Sequence, residues 1–167
     1  MRRIFASITR SRLREPAVSL AALVLVAGAL HGQVRTEAQV FGVATSAADP
    51  FIGGGVGYGV RSAGRLRLLV SAAVGAVNRS VAGRGELVVT FSLNPVRRRG
   101  VVPYAGGGMA AVALRDDVRE YVVLLLGVES RPGARTGWFA EVGVGGGVRG
   151  VVGVRLRWTR SRGRRRA

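Results

Sequence analysis

Between residues 39 and 158 bulky apolar side chains recur at every second position, with glycine, alanine, serine, threonine or an occasional ion between them. A repeat of two is the geometry of a strand, whose side chains point alternately to opposite faces, and it excludes a helix over the same residues. The runs are about eight to fourteen residues long. Clusters of turn-forming residues separate them at Ala47–Pro50, Ser62–Gly64, Asn78–Arg84, Pro95–Gly100, Arg115–Arg119, Arg131–Thr136 and Arg149–Gly150. Seven breaks predict eight strands, at about 39–46, 51–61, 65–77, 85–94, 101–114, 120–129, 137–148 and 151–158.

The two faces differ in kind. In the second strand Ile52, Val56, Tyr58 and Val60 share a face with Gly54, and the other carries Phe51, Gly53, Gly55, Gly57, Gly59 and Arg61. In the last, Val152, Val154, Leu156 and Trp158 stand opposite Val151, Gly153, Arg155 and Arg157. The third, fourth and seventh strands divide in the same way, whereas the first and sixth are ambiguous, and Leu124–Leu126 in the sixth is apolar on both sides. A soluble barrel of lipocalin type, holding a small apolar ligand, would turn the bulky face inward. A membrane barrel would turn it to lipid. Rows of glycine on a water-facing sheet weaken strands for no return, whereas the narrow interior of an eight-stranded barrel has room for small residues and a few ions. The pattern therefore favours lipid outside. Strands of this length can cross a membrane, and closure satisfies the backbone groups that hydrocarbon would leave unpaired.

Export is expected from the N-terminus. Five arginines up to Arg14 precede an uncharged apolar run, Ala17–Leu30, too short for a spanning helix and of signal-peptide length. Small residues at Ala27–Ala29, Gly32 and Thr36–Ala38 offer cleavage points, so 1–38 is assigned as signal and processing region, 39–158 as the barrel and 159–167 as a basic disordered tail. The chain has 26 arginines, no lysine, no cysteine and one histidine, and a formal charge of +17. Processing at 38 would remove six arginines and His31, and the tail holds Arg160, Arg162 and Arg164–Arg166. Much of the charge is thus terminal. With no stacking aromatics in the tail and export out of the cytoplasm, no nucleic-acid partner is expected.

The stretches P-Y-A-G-G-G-M-A-A-V-A at 103–113, G-W-F-A-E-V-G-V-G-G-G-V-R at 137–149 and V-V-G-V-R-L-R-W at 151–158 resemble strands of small bacterial outer-membrane β-barrels of the OmpA/OmpX-like family. The resemblance implies an all-β, eight-stranded antiparallel up-and-down transmembrane barrel in the outer membrane. It also implies a final strand, here Val154, Leu156 and Trp158, read by the barrel-assembly machinery. Outer-membrane lipids and that machinery are the expected partners, and the protein is expected to be a monomer. Two features depart from the family: nine residues follow Trp158, and all the connections are short.

Little in the chain points to catalysis. The Gly145-x-Gly147-x-x-Gly150 spacing lacks the helix a phosphate cradle needs. Asp116 and Asp117 lie in a turn beside Arg115 and Arg119. Enzymes among the barrels that this chain resembles use a histidine base, and none remains after 38. No catalytic residue, cofactor or metal is expected, and the protein is expected not to be an enzyme. The candidate site is instead an interior ionic network of Arg61, Arg65, Arg67, Glu86, Glu141, Arg149, Arg155 and Arg157, with Glu129 in a strand whose faces are not distinguished. Buried ions must pair, so an Arg/Glu plug is expected. A narrow anion-preferring channel is the alternative that the excess of arginine suggests. Arg97–Arg99 is a second basic cluster, placed to meet anionic head groups.

Overall fold

The computed structural model describes residues 35–62, 66–96, 100–115 and 117–159. They form eight strands: β1 Arg35–Ser46, β2 Phe51–Arg61, β3 Leu66–Val77, β4 Ser80–Ser92, β5 Val101–Ala113, β6 Val118–Ser130, β7 Thr136–Val144 and β8 Val148–Thr159. Each pairs antiparallel with its sequence neighbour, and β1 pairs with β8 to close the barrel. Following paired residues around the wall from Trp158 leads through Thr36, Val60, Leu68, Val89, Gly107, Leu124 and Val144 to Val148. The circuit returns ten positions back along β8, a stagger that tilts the strands by roughly 40° and leaves an interior that side chains can fill.

The faces fall as the alternation predicts, and the ambiguous strands are resolved. Glu37, Gln39, Phe41, Val43 and Thr45 of β1 and Val123, Leu125 and Glu129 of β6 point inward. Outward stand Val40, Ile52, Val56, Tyr58, Val70, Val74, Leu87, Phe91, Met109, Leu124, Leu126, Trp138, Val152, Leu156 and Trp158, all exposed. The bulky face is therefore outside, and the soluble ligand-binding alternative is corrected on that ground: the interior is packed with side chains instead of opening as an apolar cavity. Over the ten positions from Trp158 to Val148, about 25 Å along the axis at ~3.3 Å per residue and ~40° of tilt, no outward described residue carries a charge.

Two expected breaks move, and the first strand starts earlier. Asn78–Arg84 contracts to a two-residue turn, Asn78 (φ 48°) and Arg79 (φ 68°), the double left-handed turn that matches strand twist. Its polar remainder, Ser80–Arg84, continues in period two as β4. The last break lies at Gly145–Gly147, before Arg149–Gly150, because Gly146 (φ 77°) and Gly147 (φ 111°) take conformations that side chains resist. Arg149 consequently belongs to β8. The first strand begins at Arg35, which places Thr36–Ala38 in the wall. The signal run Ala17–Leu30, Arg65, Arg97–Arg99, Asp116 and the tail arginines lie outside the described residues.

Candidate functional site, an ionic ladder inside the barrel

Glu129 near the end of β6 points into the lumen in the half of the barrel that holds Arg35 and Thr159, the first and last described residues, and four guanidiniums converge on it there. Arg61 reaches Oε1 at 2.7 Å, and Arg155, Arg157 and Arg67 reach Oε2 at 2.9, 3.1 and 3.2 Å. Glu37 lies between the Nε atoms of Arg67 and Arg157, at 3.4 and 3.5 Å, held by charge with no hydrogen bond to either oxygen. Arg155, 1% exposed, also donates to Gln39 Oε1 at 3.0 Å and lies 3.9 Å over the Phe139 ring. Such a cation over an aromatic face gains from the ring quadrupole.

A second cluster occupies the far half. Glu86 takes Arg84 at 2.7 Å and Arg149 at 3.0 Å, and Arg84 also donates to the Gly145 carbonyl at 3.0 Å. Glu141 joins the clusters, with Oε1 3.1 Å from Arg155 and Oε2 3.5 Å from Arg149. Tyr104 buttresses that joint. Its hydroxyl donates to Glu141 at 2.7 Å and accepts from Arg155 at 3.0 Å, while its ring lies between Arg67 and Arg155 at 4.7 and 5.2 Å. The ring reaches this position because β6 has Gly127 there: a Cβ on Gly127 would fall 2.7 Å from its Cε2. Six arginines and four glutamates thus form one connected ladder along the axis. Isolated, each charge would be costly to bury; paired and hydrogen-bonded, the set is tolerated.

Between and above the rungs the lumen is apolar. Phe41, Val43, Phe51, Ala73, Val77, Val112 and Val151 pack together, and Val88, Ala110, Val123 and Leu125 form a second layer with Tyr104. A recess of about 20 Å³ beside Arg84 and Tyr121, at the mouth remote from the termini, is the size of a single water. That mouth is bridged by a polar clasp. Asp49, in the β1–β2 turn, accepts hydrogen bonds from Asn78 of the β3–β4 turn and from Arg119 of β6, and Arg119 holds Asp117 at 2.8 Å. The hydrogen bond from Arg119, then that from Asn78, holds the Asp49 carboxyl below the ordinary aspartate value.

The structure brings together Arg61, Arg67, Glu86, Glu141, Arg149, Arg155 and Arg157 of the expected network, whereas Arg65 lies outside the described residues. It turns Glu129, whose facing the sequence leaves undecided, inward as the hub, and adds Glu37, Arg84, Tyr104 and Gln39. Val154, Leu156 and Trp158 all face outward on β8.

The architecture is that of the small eight-stranded barrels of bacterial outer membranes. The crystal structure of the N-terminal β-barrel domain of Pseudomonas aeruginosa OprF superposes with a TM-score of 0.60 at 16% identity, covering 77% of this chain and all of that one. Neisserial surface protein A aligns with a TM-score of 0.49 at 14% identity, over 75% of this chain and 96% of that one. The sequence matches no family model and no curated protein.

Proposed function

We propose that the protein is a non-enzymatic barrel of the bacterial outer membrane, exported by its N-terminal segment. In this reading its lumen is closed by the Arg/Glu ladder and its role is to support envelope integrity. The observation that carries the membrane reading is the outer wall, apolar and free of charge among the described residues over a depth matching the band of a membrane barrel. The closed lumen is supported by pairing: every interior guanidinium of the ladder has a carboxylate within 3.5 Å. Val154, Leu156 and Trp158 are the residues proposed to meet the assembly machinery, outer-membrane lipids the solvent of the wall, and a monomer the working unit.

Fractionation and gel mobility test the location. The protein is expected in outer membranes and to run differently before and after boiling; a soluble periplasmic protein with no shift would overturn the reading. Planar-bilayer recording tests the closed lumen. Inserted protein is expected to leave the baseline silent, and a stable anion-selective conductance would instead favour a narrow channel, the reading that six inward arginines against four glutamates supports.

A further inference from the structure

The apolar wall is not uniform. Where β5, β6 and β7 run side by side, Leu93, Pro103, Leu126, Val128, Ala140 and Val142 line a groove of about 350 Å³. These six belong to the outward face, and Gly127, Tyr104 and Glu141 complete the lining, so the groove lies against the wall directly behind the Tyr104–Glu141 joint of the ladder. Its depth comes from Ala140, which stands where neighbouring outward positions carry Trp138 and Val142, and Gly127, whose Cα–H points into the lumen, adds only backbone to the floor. Phe91 of β4 and Trp138 of β7, both exposed, flank it in the half of the wall nearer the termini. The strands that form its sides, β6 and β7, are joined at that end by the turn 131–135. This turn holds Arg131 and Arg135, both exposed. Their backbone carbonyls accept from Ala134 and Arg157, but neither guanidinium has a partner among the described residues.

An apolar slot between strands whose connecting turn carries two exposed arginines without a side-chain partner among the described residues, bordered by Trp138, a side chain that favours the membrane–water boundary, has the chemistry of a phospholipid lying along a wall. We infer that this groove holds one anionic glycerophospholipid. An acyl chain lies along Leu93, Pro103, Leu126, Val128, Ala140 and Val142, and the phosphate is met by Arg131 and Arg135. Guanidinium groups pair with phosphate oxygens through charge-assisted hydrogen bonds, so a lipid with net negative charge is preferred over a zwitterionic one. The inference depends on the membrane reading above and deepens it by naming a lipid class and a place.

Native mass spectrometry of the refolded full chain, released from micelles doped equally with dioleoylphosphatidylglycerol and dioleoylphosphatidylcholine, tests it. The wild type is expected to retain one phosphatidylglycerol. Ala140→Trp, which fills the slot, is expected to lose it. Arg131→Gln with Arg135→Gln is expected to lower the preference for the anionic lipid by about five-fold for each charge removed. The boiling-dependent gel shift is measured on every variant, so that loss of lipid is separated from loss of the barrel. A shifted wild type without retained lipid, unchanged retention in Ala140→Trp, unchanged preference in the double variant, or a dimer in place of the lipid adduct would each overturn the inference and leave the membrane reading standing. An unshifted wild type would overturn both.

Discussion

Glu129 shows how much one side chain can hold in a barrel of this width. Four guanidiniums from β2, β3 and β8 share its two oxygens, so its neutralisation weakens four ion pairs at once and leaves Arg61 without a carboxylate among the described residues. Glu129→Gln keeps the shape and deletes the charge. Breaking a buried ionic set by removing one partner costs about 3–5 kcal/mol. The variant is expected to unfold from vesicles at clearly lower urea than the wild type, followed by the fluorescence of Trp138 and Trp158. An unchanged midpoint would show that the ladder does not stabilise the barrel. The sequence left this hub undecided for a physical reason. In β6 the interior positions Val123 and Leu125 are as apolar as the wall positions Val122, Leu124 and Leu126, so alternation carries no signal there. Tyr104 was hidden similarly, among the small residues of β5. Glu37 lay before the boundary drawn at residue 39, and Arg84 inside a polar stretch that looked like a loop.

At the level of elements, what was legible was whatever alternates strongly. Strands β2, β3 and β8 alternate most clearly between a bulky apolar face and one of small or charged residues, and these faces are the observed ones. Strand ends are less so, because Ser80–Arg84 adjoins the Asn78–Arg79 turn and carries Gly83 and a charge, yet is extended by pairing. The clasp of Asp49, Asn78 and Arg119 joins three hairpins and depends on a carboxylate whose proton affinity is lowered in the folded protein. For an acid depressed in this way, the stabilisation is complete above its unfolded pKa and is lost as pH falls through the lower folded value. The wild type is therefore expected to exceed Asp49→Asn in unfolding midpoint by a constant margin near neutrality. That margin should shrink only when the pH drops below the ordinary aspartate range. A margin that persists in strong acid would show that the clasp is not held by charge.

For the whole molecule the decisive pairing is that of β1 with β8, twelve residues of each strand from opposite ends of the chain. Two ladder contacts lie directly across it, since Glu37 is paired with Arg157 and Gln39 with Arg155 in the backbone register. Cross-strand neighbours of this kind favour one register over its slips. Glu37→Gln and Arg157→Gln are each expected to lower the yield of closed, heat-modifiable barrel on refolding, and the double variant is expected to lose less than the two singles combined. Strict additivity would show that the seam is set by backbone pairing alone.

The connections remote from the termini have a consequence for the cell. They are 47–50, Asn78–Arg79, 114–117 and Gly145–Gly147, each only a few residues long, whereas the longest connection, 93–100, is at the end where β1 starts and β8 finishes. With the end that carries Arg35 and Thr159 turned to the periplasm, the outside of the bacterium would meet little more than the rim of a closed cylinder. An exterior protease would find no extended segment to cut, and an antibody or phage tail would have almost no protruding epitope to grip.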